Sequence, residues 1–131
     1  MDIRTIMTAA PIAVRAESPL HVAIELLIEH EISGLPVVDA ENRIVGVVSE
    51  KDILALFGGR DSQIVGDLMT ADPITFSVDA PLVEVVDCLM TYDFRRVLIH
   101  QAGKLAGVVS RADVMPVILD LLRERARPNE R

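Results

Sequence analysis

Two serine and aspartate pairs stand at the same spacing, Ser49 with Asp52 and Ser110 with Asp113. Each precedes an apolar run of helical period, so the serine can accept the helical N–H three residues on while the acid reaches back, as in a capping box. The same arrangement can bind. A helix start presents unpaired N–H groups and a partial positive charge, so a phosphate can dock there with the serine hydroxyl as a further donor. An aspartate one turn in can accept hydrogen bonds from a pair of sugar hydroxyls. Capping and binding are compatible, and the residues by themselves leave both open.

The elements that must position these pairs are written twice. Gly46-Val47-Val48-Ser49-Glu50-Lys51-Asp52 returns as Gly107-Val108-Val109-Ser110-Arg111-Ala112-Asp113. With an offset of 62, Met7-Thr8-Ala9 maps to Met69-Thr70-Ala71, Pro11 to Pro73 and Pro19 to Pro81, and the apolar set Leu20, Ala23, Ile24, Leu27, Ile28 maps to Leu82, Val85, Val86, Leu89, Met90. The offset falls to 61 after the run at 34–38, which places a one-residue deletion in the second hairpin turn. A period this long exceeds that of solenoid repeats and denotes two whole supersecondary units.

Each copy opens with a helical turn, Ile3 to Met7 or Ile64 to Met69, and an extended stretch around Pro11 to Val14 or Pro73 to Phe76, where X-Pro bonds disfavour helix. An amphipathic helix follows from Pro19 to His30, with Ser18 expected as its N-cap, and again from Pro81. Two β-rich runs come next, 34–38 and 44–49 in the first copy, 96–100 and 104–110 in the second, joined at Asp39 to Asn42 and Gln101 to Gly103 as hairpins. A last helix starts after Ser49 or Ser110, and Pro116 is expected to kink the second of these. The fold class is α/β (α+β), two β-α-β-β-α motifs packed about a pseudo-two-fold axis. Each motif is expected to hold a three-stranded sheet whose bare face is buried against its twin. The boundaries are 1–60, 61–122 and a basic tail at 123–131.

Half of the 131 residues are apolar, yet only Phe57, Phe76, Phe94 and Tyr92 are aromatic, so the core is aliphatic. So much apolar content in a short chain predicts burial against a second copy, a homodimer. The lone Cys88 has no disulfide partner and reads as a buried small side chain in a reducing compartment, which points to the cytoplasm. No run reaches the length of a membrane span, and no signal region opens the chain. The net charge of −7 disfavours a phosphate backbone as partner, and the arginines at 123, 125, 127 and 131 read as a solvated helix end rather than a nucleic-acid arm.

The Met-Thr-x-x-Pro openings at 7–11 and 69–73, the run Ser33-Gly34-Leu35-Pro36-Val37-Val38 and the two Gly-Val-Val-Ser-x-x-Asp segments, in duplicated order from Ile3 to Leu122, resemble a tandem CBS-domain pair, or Bateman module. With no catalytic domain attached, the chain looks like a stand-alone member. The resemblance implies a regulatory module, not an enzyme, that binds AMP, ADP, ATP or S-adenosylmethionine in clefts between the copies and signals to a protein partner. It also implies that Ser49 and Ser110 touch phosphate while Asp52 and Asp113 hold ribose. Backbone groups of the segments carrying Thr8, Ala10, Thr70 and Asp72, with Gly34, Leu35 and Pro36 and with Arg95, Arg96 and Val97, would line the base; Lys51 and Arg111 flank the phosphate. Leu98 replaces the proline of the common pattern seen at Pro36.

Charge differs between the copies. Ser49 is followed by Glu50 and Lys51, Ser110 by Arg111, and Arg95 and Arg96 stand where the first copy has Ser33 and Gly34. The second cleft is therefore expected to prefer multiply charged phosphates, with plain solvated charge as the alternative. His21, His30 and His100 are scattered, and no nucleophile recurs beside a base and an orienting acid. Cys88 has no neighbour at metal-ligand spacing. A dimerisation or docking module with empty clefts is the rival reading.

Overall fold

In the computed structural model, residues 2–59, 63–92 and 95–126 are described. A 3-10 turn at Ile3–Thr5 leads to β1 (Thr8–Ala9), β2 (Val14–Arg15), α1 (Leu20–His30), β3 (Gly34–Val38), β4 (Ile44–Ser49) and α2 (Glu50–Leu54), the last prolonged by a 3-10 turn at Ala55–Gly58. The second copy repeats this as α3 (Val65–Leu68), β5 (Thr70–Ala71), β6 (Thr75–Ser77), α4 (Leu82–Thr91), β7 (Arg96–Gln101), β8 (Lys104–Ser110) and α5 (Arg111–Ala126).

The apolar periodicity makes the helices: Leu20, Ala23 and Leu27 of α1 are buried, as are Val85, Cys88 and Leu89 of α4. Ser18 does not cap α1. The N-cap is Pro19 with no side-chain hydrogen bond, and the Ser18 hydroxyl instead accepts the N–H of Arg15 at 3.3 Å. The start of α1 is satisfied from the second copy's approach, where the Gln63 carbonyl accepts the N–H of Leu20 at 2.9 Å. α5 continues past Pro116 to Ala126, and residues 127–131 of the basic tail lie outside the described residues.

The sheets are four-stranded, not three-stranded, and the extra strand crosses over. Their orders are β2-β3-β4-β5 and β1-β8-β7-β6. β5 of the second copy pairs antiparallel with β4 of the first, Val47 opposite Thr70 and Gly46 opposite Ala71. β1 of the first copy pairs with β8 of the second, Thr8 opposite Val108 and Ala9 opposite Gly107. Close approach explains the glycines: a Cβ on Gly46 would fall 2.7 Å from the Met69 sulfur and 2.8 Å from the Thr70 carbonyl oxygen.

The hydrophobic clusters follow the same exchange. Ile3, fully buried, packs with Val78, Val85, Leu89, Val97, Ile99, Val109 and Val114 of the second copy. Val65 and Leu68 pack with Val14, Leu20, Ala23, Leu27, Leu35, Val37 and Val48 of the first. Val38, Leu98, Leu105 and Val108 are buried but belong to neither cluster. Alternation along the strands turns Val38, Leu98 and Val108 onto the face away from the helices, as expected of two sheets burying their bare faces together. The hairpin turns meet there: Leu105 N–H donates to the Asn42 carbonyl at 2.9 Å, Ile44 N–H to that of Gly103 at 3.2 Å, and the Asn42 side-chain amide to the Leu105 carbonyl at 3.2 Å.

Candidate functional site

Both Ser-x-x-Asp segments sit where a strand ends and a helix begins. In the first, the Ser49 N–H and hydroxyl both reach Asp52 Oδ2 at 2.9 Å, and the Asp52 N–H donates to Ser49 Oγ at 3.2 Å, completing a capping box. In the second, the Ser110 N–H donates to Asp113 Oδ2 at 2.8 Å and the Asp113 N–H to Ser110 Oγ at 3.3 Å. The capping reading therefore holds in both copies. It also narrows the chemistry at α2. The Glu50 N–H is taken by the Ser33 carbonyl at 2.9 Å and the Asp52 N–H by Ser49, so two of the first three helical N–H groups are already used.

Strand pairing and alternation sort the remaining candidates. Gly34 lies opposite Ser49, and Pro36 opposite Val47, which also faces Thr70 across the next strand. These residues share the face turned away from the helices. In the second sheet Arg96 lies opposite Ser110, and Leu98 opposite Val108, which faces Thr8 on its other side. The crossover thus divides the expected residues into two groups. Gly34, Pro36, Ser49 and Asp52 go with Thr70 from the second copy; Arg96, Ser110 and Asp113 go with Thr8 from the first.

Not every candidate points into these faces. Leu35 and Val97 turn to the helix side, where they are 1% and 2% exposed in the two cores, so only their main chains are available to a ligand. Arg111 sends its guanidinium back to the Leu89 carbonyl near the end of α4, 3.2 Å away. Lys51 and Arg95 are exposed. Ala10 and Asp72 occupy equivalent positions with φ of 47° and 50°, left-handed backbone directly before a proline. Neither position suits a residue with a Cβ, so both turns carry strain at the mouth of the Thr-bearing segments. The Ala10 N–H is held by the Ala106 carbonyl at 3.3 Å.

Sequence reading passed over three contributors. Gly46 and Gly107 were visible as the first letters of the repeated motif, but nothing local says that another strand must lie against them. The Ser33 carbonyl, which holds the start of α2, is a main-chain group with no sequence signal. Cys88 is buried in the second core, and burial first, then the neighbouring Asp87 carboxylate, pushes its thiol pKa up, as suits an inert packing residue. His21 and His30 are exposed, while His100 accepts the Gly103 N–H at Nδ1, 3.2 Å away. Among the described residues, no helix is long and apolar enough to cross a membrane.

Two interlocked β-α-β-β-α units, each with a Ser-x-x-Asp helix start facing a strand of the other, define a class, and comparison with known families agrees. The CBS domain model matches residues 3–59 and again 65–120, so the chain belongs to the CBS-domain family and carries two copies. It is 32% identical over 133 residues to CBSX2, a chloroplastic CBS domain-containing protein of Arabidopsis thaliana, matching 78% of this chain and 56% of that protein. It thus spans little more than half the length of that curated relative. The crystal structure of CBSX2 in complex with AMP superposes with a TM-score of 0.83 at 32% identity, covering 93% of this chain and 98% of that one. The CBS domain pair of protein MJ0100, crystallised with 5'-methylthioadenosine and S-adenosyl-L-methionine, gives 0.77 at 25% identity over 90% and 99% of the two chains. Hypoxic Response Protein I, with two coordinated zinc ions, gives 0.78 at 27% identity over 88% and 98%. Among the described residues of this chain no three His, Cys, Asp or Glu side chains gather as a metal site would need.

Proposed function

We propose that this chain is a non-catalytic sensor of adenine nucleotides, or of S-adenosylmethionine, in which a ligand bridges the two copies and its occupancy is passed to a protein partner. The observation that carries this reading is the crossover: each Ser-Asp pair ends a strand whose sheet is completed by the Thr-bearing strand of the other copy, so one ligand touching both would tie the halves together. CBSX2 with AMP and the MJ0100 pair with two adenosine derivatives support the ligand class. Asp52 and Asp113 hold the ribose, main-chain groups beside Thr8, Thr70, Gly34 and Val97 meet the base, and aliphatic neighbours replace aromatic stacking. Signalling is a shift in population between arrangements that the ligand favours unequally.

The two clefts differ in phosphate preference. Arg96, opposite Ser110, supplies the charge of the second cleft, whereas Gly34 opposite Ser49 supplies none. Arg111, tied to the end of α4, contributes less than the sequence pattern suggests. The first cleft, with Glu50 at its helix start, takes the less anionic ligand.

The working unit is a homodimer in a reducing compartment, the cytoplasm. Ile28, Leu54 and Phe57 are 72%, 62% and 94% exposed, and their repeat equivalents Met90, Met115 and Ile118 are 79%, 54% and 40% exposed. Two equivalent apolar patches suit a partner with the same internal two-fold, which a second copy has.

Isothermal titration with AMP, ATP, S-adenosylmethionine and NADH, in parallel with Asp113→Ala, tests the sensor reading. Saturable binding of an adenine ligand, weakened in the variant, supports it. Silence for all four up to about 1 mM, weaker than roughly −4 kcal/mol, leaves a docking module whose clefts stay empty.

A further inference from the structure

One cluster of groups takes no part in either cleft. β8 runs from Lys104 to Ser110, so its first residue lies roughly 20 Å from the second capping serine. At that far end is an open surface groove of about 550 Å³. Its lining has two characters. Val78 and Leu105 are buried and, with Met7 and Ala106, form an apolar floor; Arg4, Asn42, Gln101 and Lys104 are exposed and form a polar rim. No carboxylate lines it, in a chain with 20 acidic residues.

A second observation bears on the rim. Arg43 and Lys104 face each other across an isolated antiparallel bridge that joins the two hairpin turns. Like charges directly opposite repel, and among the described residues neither side chain is in an ion pair. Arg4 does have partners, Asp79 at 3.3 Å and Asp2 at 3.5 Å, but both pairs are exposed, with the Asp79 side chain 79% accessible, and such pairs are weak enough to yield to a better anion. Asp39 and Glu41 belong to the first turn, beside Asn42 and Arg43. Asp39 Oδ1 is committed to the N–H groups of Glu41 and Arg43.

We propose that this groove is a further ligand site, separate from the two nucleotide clefts and independent of their assignment, that takes a small phosphomonoester. The organic part packs on Met7, Val78, Leu105 and Ala106, and the phosphate sits among Arg4 and Lys104 with Arg43 adding to the field. The arginine fork and the lysine ammonium both suit a doubly charged oxyanion. Because Asn42 comes from the first hairpin, Lys104 from the second, and Arg4 from the segment before β1, an occupant would clamp three pieces of chain at the pseudo-two-fold.

The test is an amide NMR titration of the full chain with phenyl phosphate, inorganic phosphate and sodium chloride at matched ionic strength, on the wild type, Lys104→Glu and Asp113→Ala. Expected are saturable shifts at Arg4, Asn42 and Lys104 with phenyl phosphate, retained in Asp113→Ala and roughly tenfold weaker in Lys104→Glu, with inorganic phosphate the poorer ligand. Equal affinity for the two phosphates overturns the phosphomonoester assignment. Shifts confined to Ser110 and Asp113, or reproduced by chloride, overturn the site itself. Lys104 is exposed, so its substitution leaves the fold in place, and Asp113→Ala separates failure here from failure of the cleft reading.

Discussion

The sulfur of Met7 lies 2.6 Å from the point a Cβ on Gly107 would occupy, and the Thr8 carbonyl oxygen lies 2.8 Å from it. Two motifs a hundred residues apart thus fit each other: the glycine opening Gly-Val-Val-Ser exists so that the Met-Thr strand of the other copy can lie flat against it. Gly107→Ala and Gly46→Ala are expected to lower stability by about 1–3 kcal/mol each through overpacking. Gly58→Ala, where nothing lies within 4 Å and φ is not positive, should be close to neutral. Urea unfolding of the three variants checks the contrast, and equal effects would refute the fit.

Ile3 is fully buried in the core of the second copy, among residues more than seventy positions away in sequence. Ile3→Ala should cost about 2–4 kcal/mol. Hydrogen exchange should show the loss at β7 and β8 more than at β3 and β4. A loss confined to the first copy would contradict the crossover.

Ser49 and Ser110 cap their helices whatever else they touch. Ser110→Ala should destabilise by about 1 kcal/mol, and any loss of nucleotide affinity beyond this small change in stability measures a direct contact. Thermal unfolding and titration calorimetry on the same sample separate the two effects.

Exchange of Gly34 and Arg96 probes the charge difference between the clefts. Arg96→Gly is expected to weaken ATP about tenfold, the value of one charge-assisted hydrogen bond, and AMP less. Gly34→Arg, whose Cβ would meet its nearest neighbour at 3.4 Å, should strengthen phosphate binding in the first cleft. An unchanged ATP to AMP ratio in both variants would sink the preference.

Phe57, 94% exposed, contributes almost nothing to the monomer's own core. Phe57→Glu should leave the melting temperature of the folded unit nearly unchanged while sedimentation shifts from dimer toward monomer. A wild type that sediments as a monomer throughout would remove the dimer from the reading.

Much of the fold was legible because its signals are local. Helical periodicity located α1 and α4, β-rich runs flanked by turn residues located the two hairpins, and a strand-ending serine three residues before an aspartate marked both capped helix starts. The failures were those of longer range. Ser18 looks like a cap in its own neighbourhood, but the Gln63 carbonyl from the approach to the second copy satisfies the start of α1 instead. The direction of the Leu35 and Val97 side chains is set at the same range, because strand alternation, fixed by pairing, turns them into the cores.

The sequence by itself determined that the chain is a doubled β-α-β-β-α unit of the CBS-domain class with a Ser-Asp pair in each half, because a repeat is readable wherever local patterns recur. Only the tertiary structure decided which opening strand serves which sheet. Thr8 pairs with Val108 and Thr70 with Val47, and no local pattern specifies a partner, since a two-residue strand carries too little periodicity to choose one. The choice falls to the glycine that admits the neighbouring strand and to the apolar side chains, Ile3 in one half and Val65 in the other, that lose their contact with water only when the segments cross.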